Sequence, residues 1–242
     1  MDHNIKLVHD TNFSLDFIKV ELNGDVFFVP QYAKHRAACD CILNGSMYEP
    51  LTHVFVQKYC AIHTGSIIHA GTFYGDMLPN FSKYVRGTVY AFEPVLENYI
   101  LAKLCVEANN LTNVHLQNAA LSNIFSILHI NTNQGGGLHA GGGSKISNTG
   151  SICSSVTIDS LDAKDIVLIQ LDVEGHELEA LRGAAKTIEI SRPIVAIEDN
   201  ENSCVDFLLM RSYLLYATIP GLNIWIPREN KNAQEQLMEI LA

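Results

Sequence analysis

The sequence predicts an α/β protein: a mostly parallel sheet with helices on both faces, an antiparallel pair at its C-terminal edge and a small N-terminal extension. Three observations predict it. From Ser66 onward, short apolar runs alternate with segments patterned as helices. Those runs are apolar throughout rather than at every second residue, as in strands covered on both faces and joined by right-handed crossovers. A chain of 242 residues, 48% apolar and 17% charged, also suits one core of ordinary size.

Each element follows in order. "DFIKVELNGDVFFVP" reads as a hairpin around Asn23–Gly24, with one or two helices after it, which makes residues 1–62 an extension and 63–242 the main domain. "SIIHAG" is the first strand of the sheet, followed by the helix-like DMLPNFSKYVR. "TVYAFEP" is the second, and in the helix after it Leu96, Ile100, Leu104 and Ala108 predict a buried stripe. "NVHLQNAAL" is a third strand and "DIVLIQLDVEG" a fourth. The fourth leads into one helix, HELEALRGAAKTIEI, with Leu178, Leu181, Ala185 and Ile188 on one face and Glu177 and Glu179 in the first turn. "RPIVAIEDN" is the fifth strand. YLLYATI and NIWIPRE, turning near Pro220–Gly221, form the antiparallel edge pair.

Charge narrows the partners. A net charge of −10 with 16 scattered basic residues argues against nucleic acid, which needs clustered Lys and Arg. No run approaches the roughly 20 apolar residues of a membrane helix. The first residues, MDHNIKLVHD, lack the pattern of a signal peptide, so a cytoplasmic protein is expected. The six cysteines read as reduced, mostly buried thiols. His35, Cys39, Cys41, Cys60 and His63 fit a zinc site only loosely, and buried thiols are the favoured reading.

In an open parallel sheet ligands bind beyond the carboxyl ends of the strands, so the strand-end residues are the candidates. The first strand runs into His69-Ala70-Gly71-Thr72-Phe73-Tyr74-Gly75-Asp76, where Gly71 and Gly75 allow close backbone approach to a ligand. The second ends in Glu93-Pro94, 22 residues beyond Gly71. A carboxylate there is placed to accept the ribose hydroxyls of an adenosine cofactor, or simply to cap the next helix. The third ends in Asn118-Ala119, near where an adenine edge would lie. The fourth ends in Asp172-Val173-Glu174-Gly175, two carboxylates that are costly to bury unless paired or used.

"SIIHAGTFYGD", "VYAFEPVLENY", "LTNVHLQNAALS", "IVLIQLDVEGHELEALRGA" and "RPIVAIE", with "LNGSMYEP" upstream, resemble the FkbM-type S-adenosylmethionine-dependent methyltransferases over roughly residues 20–200. The resemblance implies a class I, Rossmann-like methyltransferase fold. It implies S-adenosylmethionine at the strand ends and methylation of an oxygen on a sugar or natural product. By the same resemblance Gly71 and Gly75 match the methionine-side loop, in which His69, Thr72, Phe73 and Asp76 are further cofactor-binding candidates. Glu93 matches the ribose-binding acid, with Pro94 after it a further cofactor-binding candidate; Asn118 and Ala119 match the adenine-side turn, and Asp172, Glu174 and Gly175 the element beside the methyl group. The family's first loop usually reads D-x-G-A-N-x-G, with a lysine two residues before the D-x-E-G aspartate. Here His69, Phe73 and Gln170 stand in those places.

Methyl transfer is an in-line displacement, and a hydroxyl acceptor benefits from a general base. Candidate bases are Asp172, Glu174, His139 and His176. His139 lies in "QGGGLHAGGG", residues 134–143, which reads either as a lid closing over an acceptor or as a mobile hairpin tip. In a metal-assisted reading, Asp172, Glu198, Asp199 and Asn200 hold Mg²⁺. The alternative from another class is a binding or scaffold protein that kept the fold without turnover, motivated by His69 and Phe73. A small-molecule or glycan acceptor is expected, and a homo-oligomer stays open.

Overall fold

The structure, a computed structural model, describes residues 14–241; the reading of the first thirteen residues as free of a signal segment lies outside them. β1 (Phe17–Leu22) and β2 (Asp25–Pro30) pair antiparallel across Asn23 and Gly24, whose φ values of 56° and 88° suit a tight Asn-Gly turn. α1 (Ala37–Leu43) and α2 (Pro50–Ile62) follow.

Then come β3 (Ser66–Ala70), α3 (Leu78–Tyr84), β4 (Val89–Phe92), α4 (Leu96–Ala108) and β5 (Val114–Gln117). An inserted stretch carries β6 (Ala120–Leu121), β7 (Ser126–Asn131), β8 (Asn133–Gly135), β9 (Leu138–His139), β10 (Lys145–Ser147) and β11 (Ser151–Val156). The chain then returns through β12 (Ile166–Leu171), α5 (Glu177–Arg182), α6 (Ala185–Ser191), β13 (Ile194–Ile197) and α7 (Val205–Met210). It closes with β14 (Tyr213–Ile219), β15 (Leu222–Pro227) and α8 (Lys231–Leu241).

The main sheet has the order β14-β15-β13-β12-β3-β4-β5. Its five inner and far-edge strands run parallel, and β14 and β15 add an antiparallel pair. The chain winds outward from β3 to β5, then returns to the other side of β3 as β12, so the crevice lies where the order reverses. Alternate residues feed two cores. Ile67 and Leu168 face Phe55, Leu78 and Phe81 on one side. Ile68, Ala70, Ile169 and Leu171 face Ala180, Leu181, Ile188 and Leu208 on the other.

Four expectations need correction. The third strand is two, because the Asn118 side chain donates to the carbonyls of Glu93 and Pro94 and draws the chain off the sheet; β6 then pairs with β11. The helix after β12 also breaks in two at Gly183. A Cβ at that glycine would lie 2.0 Å from the Ser122 carbonyl, and the Asp159 carboxylate caps the second piece through Lys186 and Thr187 N–H. On α4 the buried residues are Asn98, Leu101, Ala102 and Cys105, whereas Leu96 is half exposed. Asn98 turns that face inward: its Oδ1 accepts from the Tyr32 hydroxyl and its amide donates to Glu93. Finally, residues 120–156 hold a second sheet, β10-β7-β11-β6, that the apolar pattern did not announce.

Candidate active site at the carboxyl ends of the parallel strands

The loop after β3 turns at Gly71, φ 88°, against the turn after β12. The Asp172 N–H donates to the Ala70 carbonyl at 3.0 Å, and a Cβ at Gly71 would meet the Asp172 carbonyl at 1.9 Å. Only glycine allows both the contact and the φ. Phe73 takes a left-handed φ of 50°, which aims its N–H at Glu93 Oε2, 2.8 Å away. The other carboxylate oxygen accepts from Val95 N–H at 2.9 Å and Asn98 Nδ2 at 3.2 Å. Glu93 is thus both a helix cap and a strut of the glycine loop. Burial pushes its carboxyl up to about 7, against those three hydrogen bonds.

A run of carboxyls continues along the crevice. Asp76, 5% exposed, is pushed up to about 7, mainly by burial. Asp172 and Glu198 follow Leu171 and Ile197, a register pair on adjacent parallel strands, so they stand side by side at the strand ends. Burial, then the neighbouring Glu198, raises the Asp172 carboxyl well above the usual range. Glu174 has a left-handed φ of 56° and lies 3.4 Å from Lys145 Nζ. Its turn is held by Glu177, whose Oε1 accepts from Val173 and Gly175 N–H at 3.0 and 3.1 Å.

Two adjoining cavities share Gly71, Gly142, Asp172 and Glu174 as walls. One, at Glu93, Pro94 and Ala119, holds about 30 Å³, because Gly142, Ser144 and Ile146 of the inserted stretch line it too. That is room for one or two waters. The other, about 360 Å³, is bounded by Phe73, Asp76 and Glu198 and by His35, Arg36 and Tyr48 of the first 62 residues.

Of the residues singled out from sequence, Gly71, Phe73, Asp76, Glu93, Pro94, Ala119, Asp172 and Glu174 converge on these cavities. His69, Thr72, Gly75 and Asn118 do not line them. His69 sits under the loop on the face of α3, its Nδ1–H donating to Gln170 Oε1 and its ring edge-on to Phe81 with centroids 5.0 Å apart. Thr72 Oγ1 is buried without a partner among the described residues. Gly75 packs on Ala102, and Asn118 is engaged with the backbone.

His139 is not brought to Asp172. It meets Tyr32 edge to face with ring centroids 4.6 Å apart, accepts from Gly141 N–H and lines a separate hollow with Glu97. His176 Nε2 meets the Ser122 hydroxyl at 3.1 Å, beside the Glu93 cavity. The glycine-rich segment has two parts. Gly135–Gly137 are exposed with nothing near them, whereas Gly141–Gly143 pack on Ala33, Phe73 and Arg36, where a Cβ at Gly141 would come within 2.8 Å of Ala33.

Asn98, Glu177, Tyr48 and Arg36 join the site without having been candidates from sequence. A polar Asn98 among the apolar residues of α4 was a signal for the first; nothing in the sequence pointed to Arg36. Among the described residues, no group of three or more His, Cys, Asp and Glu side chains is arranged to hold a metal ion. In the Mg²⁺ reading, Asp199 is engaged in capping α7 through Ser203 and Cys204 N–H, both at 2.8 Å. In the zinc reading, Cys39 and Cys60 are buried in different cores.

A family described as the methyltransferase FkbM domain matches residues 69–219. The chain belongs to the FkbM methyltransferase family. The matched span begins at His69 and includes both strand-end turns that meet at Gly71. Among solved structures, methyltransferase FkbM from Methylobacillus flagellatus KT aligns at 16% identity with a TM-score of 0.50, over 67% of this chain and 43% of that one. At that identity the likeness is one of fold, class I methyltransferase, and this chain spans less than half of that protein. Ribosomal protein L11 methylase from Lactobacillus delbrueckii subsp. bulgaricus aligns at 11% identity and TM-score 0.47, over 75% and 80% of the two chains. A SAM-dependent methyltransferase from Aquifex aeolicus aligns at 17% and 0.43, over 74% and 89%. No curated protein matches the chain.

Proposed function

We propose that this FkbM-family chain is an S-adenosylmethionine-dependent methyltransferase acting on a hydroxyl of a sugar, glycan or natural product. Residues 63–242 would be the methyltransferase domain and residues 1–62 an extension, of which His35, Arg36 and Tyr48 line the larger cavity. The observation that carries the reading is Glu93, a carboxylate 4% exposed at the end of β4, opening onto a cavity shared with Gly71 and Asp172. A buried carboxylate there suits a ribose diol, which offers two hydroxyl donors. The bound donor would supply an activated methyl on sulfur. The chain's own part is to orient the acceptor, exclude water and take the hydroxyl proton, with Asp172 and Glu174 at the wall common to both cavities. Acidic walls favour an uncharged or cationic acceptor over nucleic acid. Among the described residues no helix is long and apolar enough to cross a membrane. We place the reaction in the cytoplasm.

Titration calorimetry with S-adenosylhomocysteine tests the reading. Glu93→Gln should weaken binding by roughly 1.5–3 kcal/mol, the worth of a hydrogen bond to a charged group. Wild-type affinity should rise as pH passes upward through about 7, where Glu93 and Asp76 ionise. Equal binding by the variant, or no binding by the wild type, would remove the ribose site.

Because the Glu93 cavity has room for only one or two waters, ligand entry requires the strip at 140–146 to withdraw. S-Adenosylhomocysteine is therefore expected to change amide exchange in 140–146 more than in the exposed tip at 135–137. A response confined to the tip would contradict this.

A further inference from the structure

Arg36 stands at the start of α1 and walls the 360 Å³ cavity. Its Cγ lies against Gly141 and its guanidinium against Gly143, where a Cβ would come within 2.6 Å of Nη2. Among the described residues its side chain forms no ion pair and donates no hydrogen bond. Its five N–H donors are therefore free to meet an acceptor in that cavity. Asp76 lines the same cavity, is 5% exposed, and accepts no hydrogen bond from any other described residue. A cation and a carboxylate, neither held by the side chain of another described residue nor paired with each other, thus face one space. That space shares Gly71 and Asp172 with the Glu93 cavity, so a ligand with its ribose at Glu93 extends into it.

We propose that Arg36 binds the carboxylate of the donor's methionine moiety, opposite an ammonium held by Asp76. The inference rests on the reading of S-adenosylmethionine as donor. It makes the N-terminal extension part of the cofactor site. It also assigns a role to the close packing of Gly141–Gly143, which holds the guanidinium in place. Guanidinium and carboxylate match as a two-pronged pair, which an ammonium at this position would not reproduce.

The test compares two ligands by calorimetry. S-Adenosylhomocysteine carries the amino-acid end; 5′-methylthioadenosine keeps the adenosine and lacks it. Arg36→Gln should weaken S-adenosylhomocysteine about 10–100-fold and leave methylthioadenosine within about twofold, at an unchanged melting temperature. Arg36→Lys should recover only part of the loss. If Arg36→Gln leaves S-adenosylhomocysteine untouched, Arg36 serves an anionic acceptor or nothing, and the inference falls while the donor reading stands. If both ligands weaken equally, Arg36 is structural and the inference falls. If wild type binds methylthioadenosine but not S-adenosylhomocysteine, the carboxylate clamp is wrong. If it binds neither, the donor reading fails as well.

Discussion

His69→Asp is expected to destabilise the protein by on the order of 3–5 kcal/mol, the cost of a buried charge without its partner. Gln170→Lys introduced into the same chain should restore most of that loss. His69 and Gln170 are register partners on β3 and β12, 2% and 1% exposed, and the imidazole donates to the amide oxygen. Burial lowers the imidazole to about 4, so the pair is neutral at every ordinary pH. The family pattern has an acid and a lysine at these two places, which here face each other across the strands. The resemblance then implies that the two departures are one change, an ion pair exchanged for a neutral hydrogen bond, of the kind that costs little when both partners change together. Denaturant unfolding of the wild type, both single variants and the double variant measures the coupling, expected above about 1 kcal/mol. The His69→Asp penalty should shrink from pH 8 to pH 5 as the new carboxyl takes up a proton. Additive losses in the double variant would show that the two positions are independent.

The same pair marks what the sequence could and could not convey. Strands buried on both faces announce themselves by composition, so β3, β4, β12 and β13 were legible, and with them the strand-end residues Gly71, Glu93, Asp172 and Glu174. That His69 lies beneath the loop was not legible. Side-chain direction alternates along β3, and only the placement of α3 decides which face is packed and which residue reaches the crevice. The inserted sheet escaped because β7 and β11 are half-exposed, with Ile127 and Ile152 each 71% exposed, and β11 carries three serines. The glycine-rich segment was misjudged in part. Six glycines suggested an unpacked loop, yet Gly141–Gly143 pack closely because they lack side chains, while only Gly135–Gly137 stand free. Arg36 gave no signal because what it faces, Gly141, Gly143 and the cavity walls at Gly71, Asp76 and Asp172, lies far from it along the chain.

Asp172→Asn is expected to raise stability and abolish turnover together. Asp172 is wedged at the strand end beside Glu198, with Glu174 and Glu49 also near, and its carboxyl is raised mainly by burial and then by Glu198. A carboxyl raised in the fold keeps its proton after the unfolded chain has lost it. The folded state then binds more protons, and stability falls as pH rises from the ordinary aspartate value of about 3.9 through the raised one. Asparagine keeps the shape and removes the charge. The variant should match wild type near pH 4 and exceed it at pH 8 by about 0.5–2 kcal/mol, the usual gain when a strained functional residue is replaced. Formation of S-adenosylhomocysteine, measured against a panel of sugar and polyol acceptors, should drop at least about 100-fold if the carboxylate takes the acceptor proton. Glu198→Gln should share the stability gain at pH 8, since it relieves the same crowding, and should flatten the pH dependence that Asp172 imposes. An Asp172→Asn protein that is less stable than wild type at both pH values would mark the carboxylate as a structural acceptor. One that keeps full turnover would move the base to Glu174.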